Sequence, residues 1–335
     1  MRKKIKIEGI AVYHPSKIVT NDFYFQHFDK LGINVRHFYE KILGRKNRYE
    51  IDNTGKDISE HENSLTMQIK SAKQVLKNCN LEGKDIDGII LASLFPEYTA
   101  PPSSVIIHEA ISGKERCQCF DLNANCTTMI LAFQQAALMM EDDPLIRKML
   151  IIGGDYLSIT MPDDGANTYG TLGDSACAII VSNDSEDCGI IDNDFYVYNT
   201  VSSLNKFPNC GLESVIKGTS NEIRVKESEG NFVDVDSICK KISEILERNS
   251  LDVSDIAVFC FSQFVKSNNE EIIERLNIPN EKCPYIGDEF GYTGANSPFL
   301  VLNWAVEHNK VKHGDYVFLW TIGMGMQYIF SLIKY

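Results

Sequence analysis

Apolar residues in this chain come in short continuous runs separated by longer amphipathic or apolar stretches. Asp87–Ser93 (DGIILAS) is apolar without alternation, the pattern of a strand covered on both faces. Thr127–Met140 (TTMILAFQQAALMM) is apolar nearly all round, which predicts a buried helix. Met149–Ile152 opens another buried strand, expected to end at Gly153-Gly154, and Ala176–Val181 predicts a further one. The second half repeats the plan. Leu81 and Asp85-Ile86 precede the first strand, and Leu251 and Asp255-Ile256 precede the strand AVFCFS 170 residues later. The same offset carries Cys126 onto Asn296 in GYTGANS, where a second helix (Pro298–His308) opens, followed by a Gly314-Asp315 turn and the strand Tyr316–Thr321. Such a repeat predicts two related α/β halves, 1–184 and 185–335, joined by the acidic, Asn/Ser-rich stretch Ser182–Asp194.

Composition narrows the function. The 335 residues are 44% hydrophobic and carry a net charge of -13, which excludes a nucleic-acid binder because phosphate contacts need clustered Lys and Arg. No apolar run reaches the roughly 18 residues of a membrane span. The ten cysteines are scattered without a CxxC pair, which points to reduced thiols in a cytoplasmic protein. Neither a cofactor nor a metal is expected.

One cysteine stands apart by position. Cys126, in FDLNANCTTMILAF, lies just before the buried helix, where free N–H groups and the positive end of the helix dipole favour a thiolate. It is either a nucleophile or one more packed structural cysteine. Near the C-terminus, Ile322-Gly323-Met324-Gly325 follows a buried strand. Its glycines allow backbone N–H groups to approach a reacting oxygen, or simply form a strand-end turn. It is not a dinucleotide fingerprint, since the third glycine is missing and no helix follows.

Taken in order, several segments resemble the ketoacyl synthase III family of the thiolase superfamily across nearly the whole chain. They are IAVYHPSKIVTN, DIDGIILAS, APPSS, FDLNANCTT, IIGGDYLS, LGDSACAIIV, GYTGANS, GDYVFLW and GMG. The resemblance implies a duplicated five-layered αβαβα fold and a homodimer. It also implies acyl transfer from a thioester onto Cys126, followed by condensation with a malonyl thioester. An oxyanion hole would be formed by the backbone N–H groups of Cys126 and Met324. In the family a His and an Asn donate hydrogen bonds to the decarboxylating malonyl group. Their positions fall on Ser262 and Tyr292, and none of the seven histidines lies in either segment.

A serine hydroxyl can donate one hydrogen bond but cannot hold a positive charge or act as a base near neutral pH. Tyrosine can donate but fills substrate space. Either this pair supports variant chemistry, or it fills a dead pocket. The family's adenine-stacking Trp and nearby Arg align with Phe38 and Ile42, and its basic carrier-protein helix aligns with the acidic Ser267–Leu276. Arg45, Lys46 and Arg48 are alternative contacts for a carrier, or part of a solvated charged face. Glu97, in LFPEYTAPP, is a candidate base on a loop that in this family reaches toward the partner subunit; solvent exposure is the plain alternative. Two function classes follow. One is a cysteine acyltransferase of fatty-acid-like, polyketide or other specialised metabolism, taking an acyl thioester on coenzyme A or a carrier protein. The other is a catalytically weak subunit paired with an active paralogue.

Overall fold

The computed structural model describes residues 3–184, 187–198, 206–225 and 233–335. Residue 185, the expected start of the second half, lies outside the described residues. In chain order the strands are β1 (Lys3–Lys4), β2 (Lys6–Tyr13), β3 (Lys17–Thr20), β4 (Asn47–Glu50), β5 (Gly88–Ala92) and β6 (Gln118–Leu122). They continue with β7 (Lys148–Asp155), β8 (Ser175–Ser182), β9 (Gly189–Val197), β10 (Ile256–Phe261), β11 (Tyr316–Gly323) and β12 (Gln327–Lys334). The helices are α1 (Asn21–Lys30), α2 (Ser64–Asn78), α3 (Ser103–Ala110), α4 (Thr128–Asp142) and α5 (Leu212–Lys217). After them come α6 (Val235–Arg248), α7 (Lys266–Leu276), α8 (Gly287–Phe290) and α9 (Ser297–Glu307). None of the described helices is long and apolar enough to cross a membrane.

The strands form two five-stranded sheets, ordered β2-β8-β7-β5-β6 and β1-β9-β12-β11-β10. Their inner wiring is the same. In one, β8 runs antiparallel to β2 and β7, and β7 parallel to β5. In the other, β12 runs antiparallel to β9 and β11, and β11 parallel to β10. The edges differ, since β6 closes the first sheet whereas β1, from the first residues of the chain, joins the second.

Strand alternation builds the layers. Ile90, Ile151, Cys177 and Ile179 point inward, as do Val258, Cys260, Val317 and Leu319 from the other sheet, into one core shared with α4 and α9. Their neighbours Ile89, Leu91, Leu150 and Ile152 point outward onto α2 and α3. On the far side Phe259, Phe261, Phe318 and Trp320 pack against α6 and α7. The order is therefore helices, sheet, α4 with α9, sheet, helices: a five-layered αβαβα arrangement. The central helices are apolar all round because both of their faces meet a sheet, and Phe133 of α4 approaches Phe299 of α9 at 6.2 Å between ring centroids.

Two expectations need correction. Gly153-Gly154 does not end its strand, because β7 continues to Asp155. A Cβ on Gly153 would lie 2.6 Å from Met129 Sδ, so glycine there lets α4 lie close to the sheet. The repeat also shifts by one residue at the helix starts. The 3-10 turns Gly83–Asp85 and Val253–Asp255 keep the 170-residue offset. The N-caps of α4 and α9, however, are Thr127 (φ -85°, ψ -6°) and Asn296 (φ -84°, ψ -7°). Asn296 thus matches Thr127, Cys126 matches Ala295, and Asn125 (φ 59°) matches Gly294 (φ 71°).

Candidate active site

Four chain segments meet at the end of the central helix pair. Cys126 lies on the link from β6 to α4, Ser262 just after β10, Tyr292 before α9, and Met324 just after β11. The first three are buried, with relative exposures of 7%, 2% and 4%. The inward alternation of β11 adds Thr321, which is fully buried. The Tyr292 hydroxyl lies near Cys126, Ser262 and Thr321. None of the Tyr292, Ser262 and Thr321 hydroxyls has a hydrogen-bond partner of good geometry among the described residues. Backbone bonds fix the frame around them. Tyr292 N–H donates to Thr171 O (3.0 Å), Gly173 N–H to Tyr292 O (3.0 Å), and Ser262 N–H to Trp320 O (3.0 Å). Asn269 Nδ2 donates to Ser262 O at 2.9 Å.

Around the sulfur, two N–H groups converge. Both Cys126 N–H and Met324 N–H donate to Asn125 Oδ1, each at 3.1 Å. The Cys126 thiol lies 3.5 Å from the same oxygen. Gly323 makes this approach possible: a Cβ there would lie 3.3 Å from Asn125 Cβ and 3.4 Å from Cys126 N. The two N–H groups named from the resemblance therefore do point at one oxygen position beside the thiol, and a side chain of the protein occupies it.

Burial acts against the thiolate that a helix start favours. Burial pushes the Cys126 thiol up to about 12; Tyr292 acts in the opposite direction, and the nearby Asp155 reinforces the rise. Helix α4 begins at Thr128, two residues beyond the cysteine. Asp155 is itself buried and accepts from Ser93 Oγ, Leu94 N–H and Phe95 N–H, which fixes the loop after β5.

Other candidates lie apart. Glu97 is exposed and has no charged partner among the described residues. Arg45 and Arg48 are not surface contacts for a carrier, being 1% and 0% exposed. Arg45 donates to Thr171 O (3.1 Å), Gln263 O (2.9 Å) and Phe264 O (2.8 Å), pinning the segment after β10 to the first half. Arg48 lies over the Tyr24 ring at 4.5 Å and donates to Asn21 Oδ1 at 2.5 Å. Only Lys46 is exposed; it pairs with Asp288 at 2.6 Å in an open polar cleft of about 690 Å³ shared with Lys41 and Lys266. Phe38 and Ile42 are half-buried in one short π-helical turn. Helix α7 carries Glu270, Glu271 and Glu274, with Lys266 and Arg275 each paired to a glutamate one turn away.

Sequence reasoning missed Asn125 and Thr321. Asn125 directly precedes the cysteine and is a residue type that tolerates positive φ. Thr321 is a lone hydroxyl at the end of an apolar strand.

A paired αβαβα architecture with a cysteine at the start of its central helix and a glycine-flanked N–H beside it defines a thiolase-fold protein. Two family models match the chain: 3-oxoacyl-[acyl-carrier-protein] synthase III over residues 120–198, and the C-terminal model of the same family over 246–335. The chain belongs to the ketoacyl synthase III family. Among curated relatives, the β-ketoacyl-[acyl-carrier-protein] synthase III of Campylobacter jejuni is 28% identical over 335 residues, covering 99% of this chain and 98% of the relative. The enzyme of the same name from Aquifex aeolicus is 27% identical, with 98% and 99% covered. The crystal structure of 3-oxoacyl-[acyl-carrier-protein] synthase III from Aquifex aeolicus shares the fold at a TM-score of 0.83 and 24% identity, covering 99% of this chain and all of that one. Xanthomonas campestris OleA, crystallised with lauric acid and lauroyl-CoA, does so at 0.82 and 17%, with 100% of each chain covered.

Proposed function

We propose that this ketoacyl synthase III-type protein loads an acyl group from a thioester onto Cys126 and does not carry the acyl group efficiently through decarboxylative condensation. The observation that carries the first part is the convergence of Cys126 N–H and Met324 N–H on one oxygen position, 3.5 Å from the thiol. Two donors at about 3 Å suit the oxyanion of a tetrahedral thioester adduct. In the exchange, a bond forms between Cys126 Sγ and the acyl carbon as the bond to the carrier sulfur breaks. The proton of the Cys126 thiol passes to the departing carrier thiolate, so no net proton is needed.

The second part rests on Ser262 and Tyr292. Decarboxylation of a malonyl thioester builds negative charge on the thioester oxygen. The hydroxyls here are weak, neutral donors, and the Tyr292 ring occupies the space beside the sulfur. The donor is an acyl chain on coenzyme A or an acyl carrier protein, in keeping with the names of the relatives. Carrier phosphates would meet Lys41, Lys46 and Lys266 rather than Arg45 or Arg48. Glu97, exposed in the single chain, acts only if a dimer partner's loop delivers it. Residues 1–184 and 185–335 serve as the two related halves.

Intact-protein mass spectrometry after incubation with acyl-coenzyme A and acyl carrier protein tests the reading. An acyl adduct is expected on the wild type and absent from Cys126→Ala. A wild type that stays unacylated with every donor would instead favour the subunit reading. The closed, buried thiol supports that alternative, in which the fold serves an active paralogue.

A further inference from the structure

We infer that Asn125 is a gate on the oxyanion hole: its side-chain carbonyl fills the position of the substrate's thioester oxygen and must swing out before Cys126 can be acylated. The inference rests on the acyltransferase reading above and concerns how that site is controlled.

A primary amide carbonyl has the same planar C=O as a thioester, and here it makes the contacts a thioester oxygen would make. Oδ1 accepts from Cys126 N–H and from Met324 N–H at 3.1 Å each. The thiol stands 3.5 Å away. The two donors also fix which end of the amide faces inward, since only oxygen can accept both. With Oδ1 in place no second oxygen fits between the same N–H groups, so an incoming thioester has to displace it. The side chain is half-buried rather than enclosed, which leaves it room to rotate.

The backbone supports a role that belongs to the side chain alone. Asn125 adopts φ 59°, a left-handed conformation that asparagine tolerates and most residues resist. Gly294, its counterpart in the second half, adopts φ 71°. The turn therefore accepts glycine, and nothing in its geometry requires a polar side chain. What asparagine adds is an oxygen, placed between the two donors. The gate holds the hole in the satisfied, polar state that buried N–H groups need while no substrate is bound. It also discriminates, because only a carbonyl aligned with both donors exchanges for it without leaving them unpaired.

Asn125→Gly and Asn125→Asp test the gate, because both residues suit the backbone. Each is incubated with acetyl-, octanoyl- and lauroyl-coenzyme A, and the adduct is followed by intact mass. Losing two N–H···O bonds that resist opening predicts about tenfold faster acylation for Asn125→Gly. An aspartate, whose charge binds the same donors more tightly, predicts acylation slower by about tenfold or more. Opposite signs from two folded variants are not the signature of a structural role. Equal rates in all three proteins, or a slower glycine variant, would overturn the gate. A second arm needs no turnover: amide hydrogen exchange at Met324. Asn125→Gly should exchange this N–H about tenfold faster than the wild type, and unchanged protection overturns the contact. If no protein is acylated by any donor, the acyltransferase reading fails, and the exchange arm alone decides whether Asn125 closes the hole.

Discussion

The hydroxyl of Tyr292 lies beside the sulfur of Cys126, in a pocket where both residues are more than nine-tenths buried. It favours the thiolate, and burial opposes it. Burial therefore favours the neutral thiol of Cys126, and the residue is expected to react more slowly than its place at a helix start suggests. Alkylation by iodoacetamide at pH 7.5 should be slow at Cys126 and should quicken as pH rises toward about 12. Tyr292→Phe removes the favourable hydroxyl and should slow it further. Peptide mapping over a pH series measures this; rapid labelling of Cys126 at pH 7.5 would show the pocket to be open.

Cys119 should label first. It lies on the edge strand β6, half-buried, with its sulfur 3.8 Å from that of Cys117. The neighbouring Cys117 thiol lowers the Cys119 thiol from its ordinary value, which favours its thiolate. Cys117→Ser removes that neighbouring thiol and should move the midpoint of Cys119 labelling upward. A midpoint that stays put would mean another group sets it.

Condensation should need two changes. Removing one aimed donor to a developing oxyanion costs on the order of 3–4 kcal/mol, about a hundredfold to a thousandfold in rate. The wild type should give no ketoacyl product from a malonyl thioester on the timescale of its self-acylation. Ser262→His alone should restore little, because the Tyr292 ring still occupies the second position. Ser262→His with Tyr292→Asn should do better. Rapid ketoacyl formation by the wild type would refute this, and Glu97→Gln would then be the first variant to assay.

Arg45 should be a stability residue. Its guanidinium is buried and donates to the carbonyls of Thr171, Gln263 and Phe264, among others. Arg45→Ala leaves these acceptors unsatisfied, and a loss of about 3–5 kcal/mol is expected. Lysine cannot reproduce the planar fork, so Arg45→Lys should recover less than half of that. Urea denaturation checks both, and a near-neutral Arg45→Ala would contradict the role.

A half-buried and a buried carboxylate, Glu50 and Asp174, predict a pH effect on stability. Burial, with the Asp174 charge nearby, raises Glu50 to about 7 from an ordinary 4.5, and burial raises Asp174 to about 6 from 3.8. A folded group with a raised carboxyl pKa keeps a proton that the unfolded chain releases. Its contribution is therefore full below the unfolded value and is lost as pH rises through the folded one. Glu50→Gln removes the titration and leaves an oxygen to accept from the Tyr24 hydroxyl. Its melting temperature relative to wild type should rise between pH 4.5 and pH 8 by a few degrees, roughly 2–4 °C per kcal/mol. A difference independent of pH would rule this out.

Much of the fold was legible in order along the chain. Continuous apolar runs marked strands β5, β7, β8, β10 and β11 because a strand covered on both faces needs no polar alternation. Helices α4 and α9 were legible for the same reason, since each is covered by a sheet on either side. The repeat was visible in its turns, where capping residues at fixed spacing do local work. Cys126 and the segment around Met324 could be singled out because a helix start and a glycine-flanked strand end are local features. Whatever depends on distance in space was not legible. The sequence put Cys126 at a site that favours its charge, but its ionisation is set by the surfaces of two halves closing over it. Arg45 and Arg48 read as surface cations, and only packing showed that their partners are carbonyls far along the chain. Asn125 stood next to the cysteine in plain view, yet its meaning depended on Met324, 199 residues away, whose N–H shares its oxygen. Local pattern records what each residue can do with its neighbours in the chain. Desolvation and the convergence of hydrogen-bond donors depend on residues that only folding brings together.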